Sequence, residues 1–323
     1  MTRLINAWYQ GAWWCYLLWP FSLIFRALIV LRRMYWWIRA NPLPVKVIVV
    51  GNITVGGSGK TPWVMWLAEH LKKQGWRPGI VMRGYRARCE AFPFQVQARD
   101  AARRVGDEAC LLRQTGVPVV LDPCRPRGVR YLAKRAKCNV VISDDGLQHY
   151  AMRRDLELII LDQRRGLGRG FCLPAGPLRE PVSRLESADF ILTNQVSAQL
   201  PAYHFELKPG RLTQLAEPGK TQPLSVLKNK TVHAVAGIGH PERFFDMLKS
   251  LGAQVIPHAF PDHHEFSRQD LEFGDEHSVV MTEKDAVKLN NLPGERYWFI
   301  PVTVVPDPDW ITQFDAAIST WTR

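Results

Sequence analysis

The chain has 323 residues, enough for two domains of ordinary size. Its 46% hydrophobic and 22% charged residues exclude a disordered protein. The net charge of +12 asks for an anionic partner, and six cysteines without a C-x-x-C pair exclude a zinc ribbon or disulfide framework and fit a reducing compartment.

The N-terminus is the unusual region. No Asp or Glu precedes Glu69, the 22 residues Leu4 to Phe25 carry no charge, and six of the 12 Trp lie in the first 37 residues. Arg26, Arg32, Arg33 and Arg39 follow or interrupt the apolar run. Indole rings favour the membrane–water interface and basic side chains favour anionic headgroups. Residues 1–40 are therefore expected to form a membrane-associated helix. A core helix and a cleaved signal are the competing readings, and no small-residue site ends the run as a signal requires. About 20 residues suffice for a span, but Gly11, Pro20 and Arg26 favour a helix lying in one leaflet. The Arg cluster on its C-terminal side puts the rest of the chain on the cytoplasmic face.

After Asn41-Pro42-Leu43-Pro44, strands and helices alternate. The apolar run Lys46 to Val50 predicts a strand leading into Thr54-Val55-Gly56-Gly57-Ser58-Gly59-Lys60-Thr61. A buried strand entering a glycine-rich turn that ends in Lys-Thr is the form of a phosphate-binding loop, with Thr54 where the common pattern has Gly. Glycines let successive N–H groups face phosphate oxygens, Lys60 supplies a point charge, and the Thr61 hydroxyl can sit on Mg²⁺. A helix is expected over Pro62–Gln74, a strand over Gly79–Met82, a helix over Asp107–Gln114 and a strand over Val117–Leu121. A basic helix over Arg127–Ala136 follows, then strands over Asn139–Ile142, Leu156–Leu161 and Phe190–Thr193. This alternation predicts an α/β fold: a parallel sheet with helices on both faces over residues 41–220, binding ligands at the carboxyl ends of its strands. A smaller α/β unit over 221–323 has expected strands at Val232–Ala236, Val255–Pro257, Ser278–Thr282 and Tyr297–Val304, and a helix at Glu242–Leu251.

The strand ending in Asp144-Asp145 places carboxylates where the metal of a phosphate-loop protein binds. Gly106-Asp107-Glu108 reads either as functional or as acids favoured at a helix N-terminus. Asp262-His263-His264 is open between a metal site and a carboxylate–imidazole pair for proton transfer. Arg179, on the rigid loop Pro174 to Glu180, suits a phosphate or pairs with Glu180.

Taken in order, Gly51 to Pro62, Arg83-Gly84-Tyr85, Gly106-Asp107-Glu108, Asp144 to His149, Pro174 to Glu180 and Phe260 to His264 resemble the tetraacyldisaccharide 4′-kinase (lipid A 4′-kinase) family of Gram-negative bacteria. The resemblance runs from the aromatic N-terminus to about Asp285, and Thr54 is then the family's own form of the loop. It implies a P-loop kinase with a second α/β domain at the inner membrane, moving the γ-phosphate of ATP to the 4′-hydroxyl of an acylated glucosamine disaccharide 1-phosphate. It further implies that residues 54–61 hold the nucleotide, with Thr61, Asp144 and Asp145 at Mg²⁺. Asp107 would be the base, supported by His263 (or its neighbour His264) and with Lys60 on the phosphates. His149, Arg179 and Glu180 would line the lipid site.

Three other readings fit less well. A membrane-associated regulatory ATPase with a deviant loop carries a second lysine before the paired glycines, where this chain has Val55. A GTPase needs an Asn/Thr-Lys-x-Asp pattern, and Thr193-Asn194-Gln195-Val196 lacks it. Nucleic-acid binding is not expected, because the aromatics concentrate in the apolar N-terminus rather than among the basic residues.

Overall fold

The computed structural model describes residues 2–56, 59–162, 166–194, 201–289, 292 and 294–321. Helix α1 (Thr2–Gln10) ends at Gly11, a 3₁₀ turn covers Trp13–Leu18, and α2 spans Trp19–Arg39. Gly11 and Pro20 have separate effects. Gly11 has φ 72° and breaks the path, whereas Pro20 sits in the first turn of α2, where its missing N–H costs nothing. Ser22 is the buried residue of α2 and bonds the Cys172 carbonyl at 2.5 Å. Most of the large apolar side chains are exposed, Trp37 to 86% and Leu31 to 61%. The stretch Trp13–Arg39 is the one helical segment among the described residues that is long and apolar enough to cross a membrane.

The next strands and helices build eight strands of a nine-stranded sheet. They are β1 (Lys46–Gly51), α3 (Lys60–Lys73), β2 (Pro78–Met82), β3 (Phe94–Gln95), α4 (Ala102–Val105), α5 (Asp107–Arg113), β4 (Val119–Leu121), α6 (Arg125–Lys134), β5 (Val140–Asp144), β6 (Leu156–Leu161), β7 (Phe190–Thr193) and β8 (Tyr203–Pro209). Seven strands run parallel in the order β8-β7-β6-β1-β5-β2-β4, with β3 antiparallel at one edge. Continuous apolar runs make these strands buried on both faces. In β1, Ile48 and Val50 enter one core with α3 and α5, while Val47 and Val49 enter another with α6. Val50 stands opposite Asp144, so the phosphate loop and the acid pair leave neighbouring strands at one level.

The second sheet contains β9 (Leu212–Gln214), β10 (Thr221–Gln222), β11 (Thr231–Ala236), α7 (Pro241–Ser250), β12 (Gln254–Ala259), β13 (Ser278–Thr282), α8 (Glu283–Ala286) and β14 (Tyr297–Ile300), in the order β10-β9-β14-β13-β11-β12. The expected strand Tyr297–Val304 is two strands. Pro301, which has no N–H to give a ladder, separates β14 from β15 (Val302–Pro306), and β15 pairs with β8 in the first sheet. Helix α9 (Pro308–Ser319) then buries Trp310, Phe314 and Ile318 in the first core, with Trp310 and Trp63 rings 5.0 Å apart. The sheets therefore divide the chain differently from the expected 221–323 boundary: β9 begins the second sheet at Leu212, and the chain returns to the first at Val302.

Candidate active site

The carboxyl ends of β1, β2 and β5 in one sheet and of β11, β12 and β13 in the other open on a single cleft of about 2450 Å³. Its wall includes Lys60, Thr61, Arg83, Asp107, Asp144, Asp145, His149 and Arg179 from the first unit, and His263, Lys284 and Lys288 from the second.

Gly59 has φ 78° and caps α3, so the helix starts at Lys60, two residues before the expected Pro62. A left-handed residue here lets the loop turn sharply into the helix, and its N-terminus faces the cleft as an anion site. Gly57 and Ser58 lie outside the described residues. The start of the loop is stapled to the Pro174–Glu180 segment: Val55 N–H donates to the Pro177 carbonyl at 2.9 Å, and Arg179 N–H to that of Ile53 at 2.7 Å. Thr54 forms a bridge with Leu178, so it helps hold the loop down from outside.

The Arg179 guanidinium bonds the Thr54 carbonyl at 3.1 Å, contacts the Asn52 side chain, and grips Asp145 with two bonds of 3.0 Å. It does not pair with Glu180. Lys60 Nζ lies 3.5 Å from Asp145 Oδ1. Burial would raise the Asp145 carboxyl, but Lys60 and Arg179 outweigh it and hold it well below the usual range. Asp145 itself has φ 47°, an uncommon conformation for a non-glycine. Buried Arg125, a residue the sequence reading passed over, stabilises that turn by donating to the carbonyls of Asp144 (2.7 Å) and Asp145 (2.8 Å). Gly146 follows because a Cβ there would lie 2.5 Å from Ser143 Oγ.

Asp144 is 4% exposed, and its Oδ1 is buried with no hydrogen-bond partner. Burial, then Glu108 and Asp145, push its carboxyl up. An unpartnered buried carboxylate oxygen beside a phosphate loop is a fitting ligand for a cation. Among the described residues no cluster of three His, Cys, Asp or Glu side chains could hold a metal alone. Mg²⁺ commonly takes one or two carboxylates and completes its shell with phosphate oxygens and water, so this donor set fits it.

Asp107 opens α5 and is 7% exposed. His263, on the turn after β12 with φ 64°, brings Nδ1 to 3.0 Å from Asp107 Oδ2. Lys284 and Lys288 approach the same oxygen at 3.6 and 3.9 Å. Burial opposes ionisation, but the His263 bond and the two ammonium groups offset it and hold the carboxyl at about 2. His264 turns away and pairs with Asp270 at 3.2 Å, so of the two adjacent histidines it is His263 that meets Asp107. His263 and Asp107 thus form a carboxylate–imidazole pair across the cleft.

His149 faces the cleft with a buried Nε2 that has no hydrogen-bond partner. Burial, with Arg125, Arg154, Arg32 and Arg83 around it, lowers it to about 4, so it is neutral at pH 7. Arg32 comes from α2, and Ile5 and Asn6 of α1 also reach the cleft. Glu180 is not among the residues that line this cleft: it is 0% exposed, ion-paired with Arg184 at 3.1 Å and bonded by Gln148 at 2.9 Å, and it borders a separate apolar cavity against Arg33, Met34 and Trp37 of α2. Its neighbour points the other way because the Arg179 backbone is paired with Ile53, which turns alternate side chains to opposite sides. Lys284 and Lys288 were also missed. Their only local signal is Thr282, a helix N-cap accepting from Asp285 N–H, which fixes where α8 starts.

The family model described as LpxK, tetraacyldisaccharide-1-P 4′-kinase, matches residues 14–319. The chain is 48% identical to the tetraacyldisaccharide 4′-kinase of Alkalilimnicola ehrlichii over 95% of its length and 93% of that protein, and 46% identical to that of Stutzerimonas stutzeri over 97% and 95%. Among solved structures it is similar to the LpxK of Aquifex aeolicus, crystallised in complex with ATP, with a TM-score of 0.79 and 28% identity over 94% of this chain and 98% of that one. A phosphate loop, an acid pair and a cleft shared by two α/β units thus coincide with matches along nearly the whole length, and the chain belongs to the tetraacyldisaccharide-1-P 4′-kinase family.

Proposed function

We propose that this protein transfers the γ-phosphate of ATP to the 4′-hydroxyl of a tetraacylated glucosamine disaccharide 1-phosphate, at the cytoplasmic face of the inner membrane, with Asp107 as proton acceptor. The observation that carries the reading is the Asp107–His263 pair at 3.0 Å in the cleft that Lys60 also lines. Phosphoryl transfer asks a protein mainly for positioning and for charge around the moving group. In this reading Gly59 and the N-terminus of α3 receive the phosphates, and Lys60 leaves Asp145 to meet them. Thr61 and Asp144, with Asp145, are the residues that would hold Mg²⁺, which neutralises charge on the phosphates when bound. The 4′-oxygen bonds to the γ-phosphorus as the bond to the β–γ bridging oxygen of ATP breaks and ADP leaves. The hydroxyl proton passes to Asp107, and His263 Nδ1 steadies that carboxylate. Neutral His149 and the arginines near it suit the sugar and its 1-phosphate. The exposed apolar face of α2 suits acyl chains and bilayer.

The test is ³²P transfer from γ-labelled ATP to the tetraacylated disaccharide 1-phosphate in detergent micelles, wild type beside Asp107→Ala. Labelled lipid with wild type and a loss of about 10²-fold or more in the variant is expected. ATP hydrolysis that ignores the lipid would replace this reading by a regulatory ATPase.

A further inference from the structure

We infer that Lys284, backed by Lys288, is the positioning residue that docks the second unit onto α5 and holds the Asp107 carboxylate in place as proton acceptor. The inference rests on the proposed kinase reading and adds residues to it.

Four carboxylates meet here: Asp107 and Glu108 from α5, Asp262 from the turn after β12, and Asp285 from α8. Among the described residues two ammonium groups answer them. Lys288 is committed. Its Nζ lies 2.7 Å from Asp285, which is fully buried and fixed by bonds from Gly237 N–H at 2.9 Å and the Thr282 hydroxyl at 2.6 Å. Lys288 sits 3.9 Å from Asp107 as the far end of that chain, over the Phe266 ring.

Lys284 is left to the other three, at 3.3 Å from Asp262, 3.6 Å from Asp107 and 3.7 Å from Glu108. Two of these lie on the first unit and one on the second, so one ammonium crosses the cleft between the sheets. Asp262 is also the neighbour of His263 and lies 3.6 Å from its Nε2. Lys284 therefore fixes both members of the pair: Asp107 directly, and His263 through Asp262. Burial would lower the Lys284 ammonium, yet Asp107, Glu108 and Asp262 raise it above the ordinary lysine value, so it stays charged. Without it, three carboxylates would face one another with only His263 and the Lys288 ammonium, already bound to Asp285, to answer them, and like charges at this range push apart.

The groups that face Asp107 are thus His263 and Asp262 from one element, Lys284, Lys288 and Asp285 from another, and Glu108 and Cys110 on its own helix. Removing a cation from this set raises the Asp107 pKa, so the acidic limb of the rate profile moves to higher pH.

The experiment measures lipid phosphorylation against pH for the full chain in detergent, comparing wild type, Lys284→Met and Lys284→Arg. For Lys284→Met, kcat should fall about 10- to 100-fold from lost positioning, with the KM for ATP within about twofold. Its acidic limb should move up by about one pH unit, and Lys284→Arg should recover most of both. A Lys284→Met enzyme with wild-type kcat and acidic limb overturns the inference. So does an arginine variant no better than methionine, whatever the melting temperature of either, since a purely structural role moves stability and leaves the pH limb in place. A wild type that does not phosphorylate the lipid instead removes the kinase reading.

Discussion

Asp107 and Asp144 are buried to nearly the same extent, 7% and 4% exposed, and their surroundings drive them in opposite directions. At Asp107, His263, Lys284 and Lys288 more than offset burial, and the carboxyl is held at about 2. At Asp144 burial acts with Glu108 and Asp145, one carboxylate oxygen has no partner, and the carboxyl is pushed up. Depth therefore does not set the charge of either group. Company does. One carboxylate is finished by the protein alone, from side chains 156 residues and more away in sequence. The other keeps a buried oxygen that no side chain satisfies, and in the proposed reading a cation held with the nucleotide would meet it.

The largest effect that could break this contrast comes from removing each charge at constant shape. Asp107→Asn should lower kcat by about 10²–10⁴. It should also lower the melting temperature, because Lys284 and Lys288 lose an anion. Asp144→Asn should lower activity through the metal, yet raise the melting temperature of the protein in EDTA, since a crowded carboxylate is gone. About 1 kcal/mol there corresponds to roughly 2–4 °C for a domain of this size. The pH dependence separates them further. A depressed pKa gives stability that is present above the ordinary carboxylate value and lost as pH falls towards about 2, which is the Asp107 case. A raised pKa gives stability at acid pH that is lost as pH climbs above the ordinary value, which is the Asp144 case. Metal-free wild type should therefore lose stability between mildly acidic and neutral pH on Asp144's account. Asp144→Asn should flatten that slope, and Asp107→Asn should leave it in place. Equal slopes in all three proteins, read by thermal melts, would sink the contrast.

The adjacent histidines sharpen the same point at smaller amplitude. His263→Ala removes the imidazole at 3.0 Å from Asp107 and should cost about 10²-fold in kcat. His264→Ala removes a ring paired with Asp270, outside the Asp107 cluster, and should cost no more than about threefold. Comparable losses in steady-state kinetics would mean that the turn after β12 acts as a unit and that the pairing is incidental.

How much of this was legible in the sequence follows from range. The phosphate loop, the Asp144-Asp145 strand end and the β-α alternation are local patterns, and Val50 opposite Asp144 is what such patterns produce when two buried strands pair. The return of the chain to the first sheet was not legible, because an apolar run from Tyr297 to Val304 looks like one strand, and only the two partners on either side of Pro301 split it. Nor was the burial of Glu180. Arg179-Glu180 reads as a pair of adjacent charges, and the register with Ile53 decides which faces the cleft. Lys284 and Arg125 carry no motif at all. Their roles exist only through partners on other elements, Lys284 across the cleft at Asp107 and Arg125 at the backbone of the Asp144 turn.

Arg179→Lys is the gentlest test of the metal side. Arg179 grips Asp145 with two bonds of 3.0 Å and reaches the Thr54 carbonyl at 3.1 Å, so one side chain ties the acid pair to the phosphate loop. Lysine keeps the charge but offers one compact ammonium in place of a planar fork, and cannot make the two ties together. If Asp145 needs only a nearby cation, the ammonium that replaces the guanidinium supplies one and the substitution should be silent. If it needs to be aimed, kcat/KM for ATP should fall about tenfold, roughly 1.4 kcal/mol. The loss should appear mainly as a higher Mg²⁺ requirement, since a mis-aimed carboxylate is a poorer ligand rather than an absent one. A kcat/KM within twofold of wild type at limiting Mg²⁺ would leave Arg179 as a tie for the loop alone. Asp144, whose buried Oδ1 has no hydrogen-bond partner, would then be the carboxylate whose substitution decides the metal side.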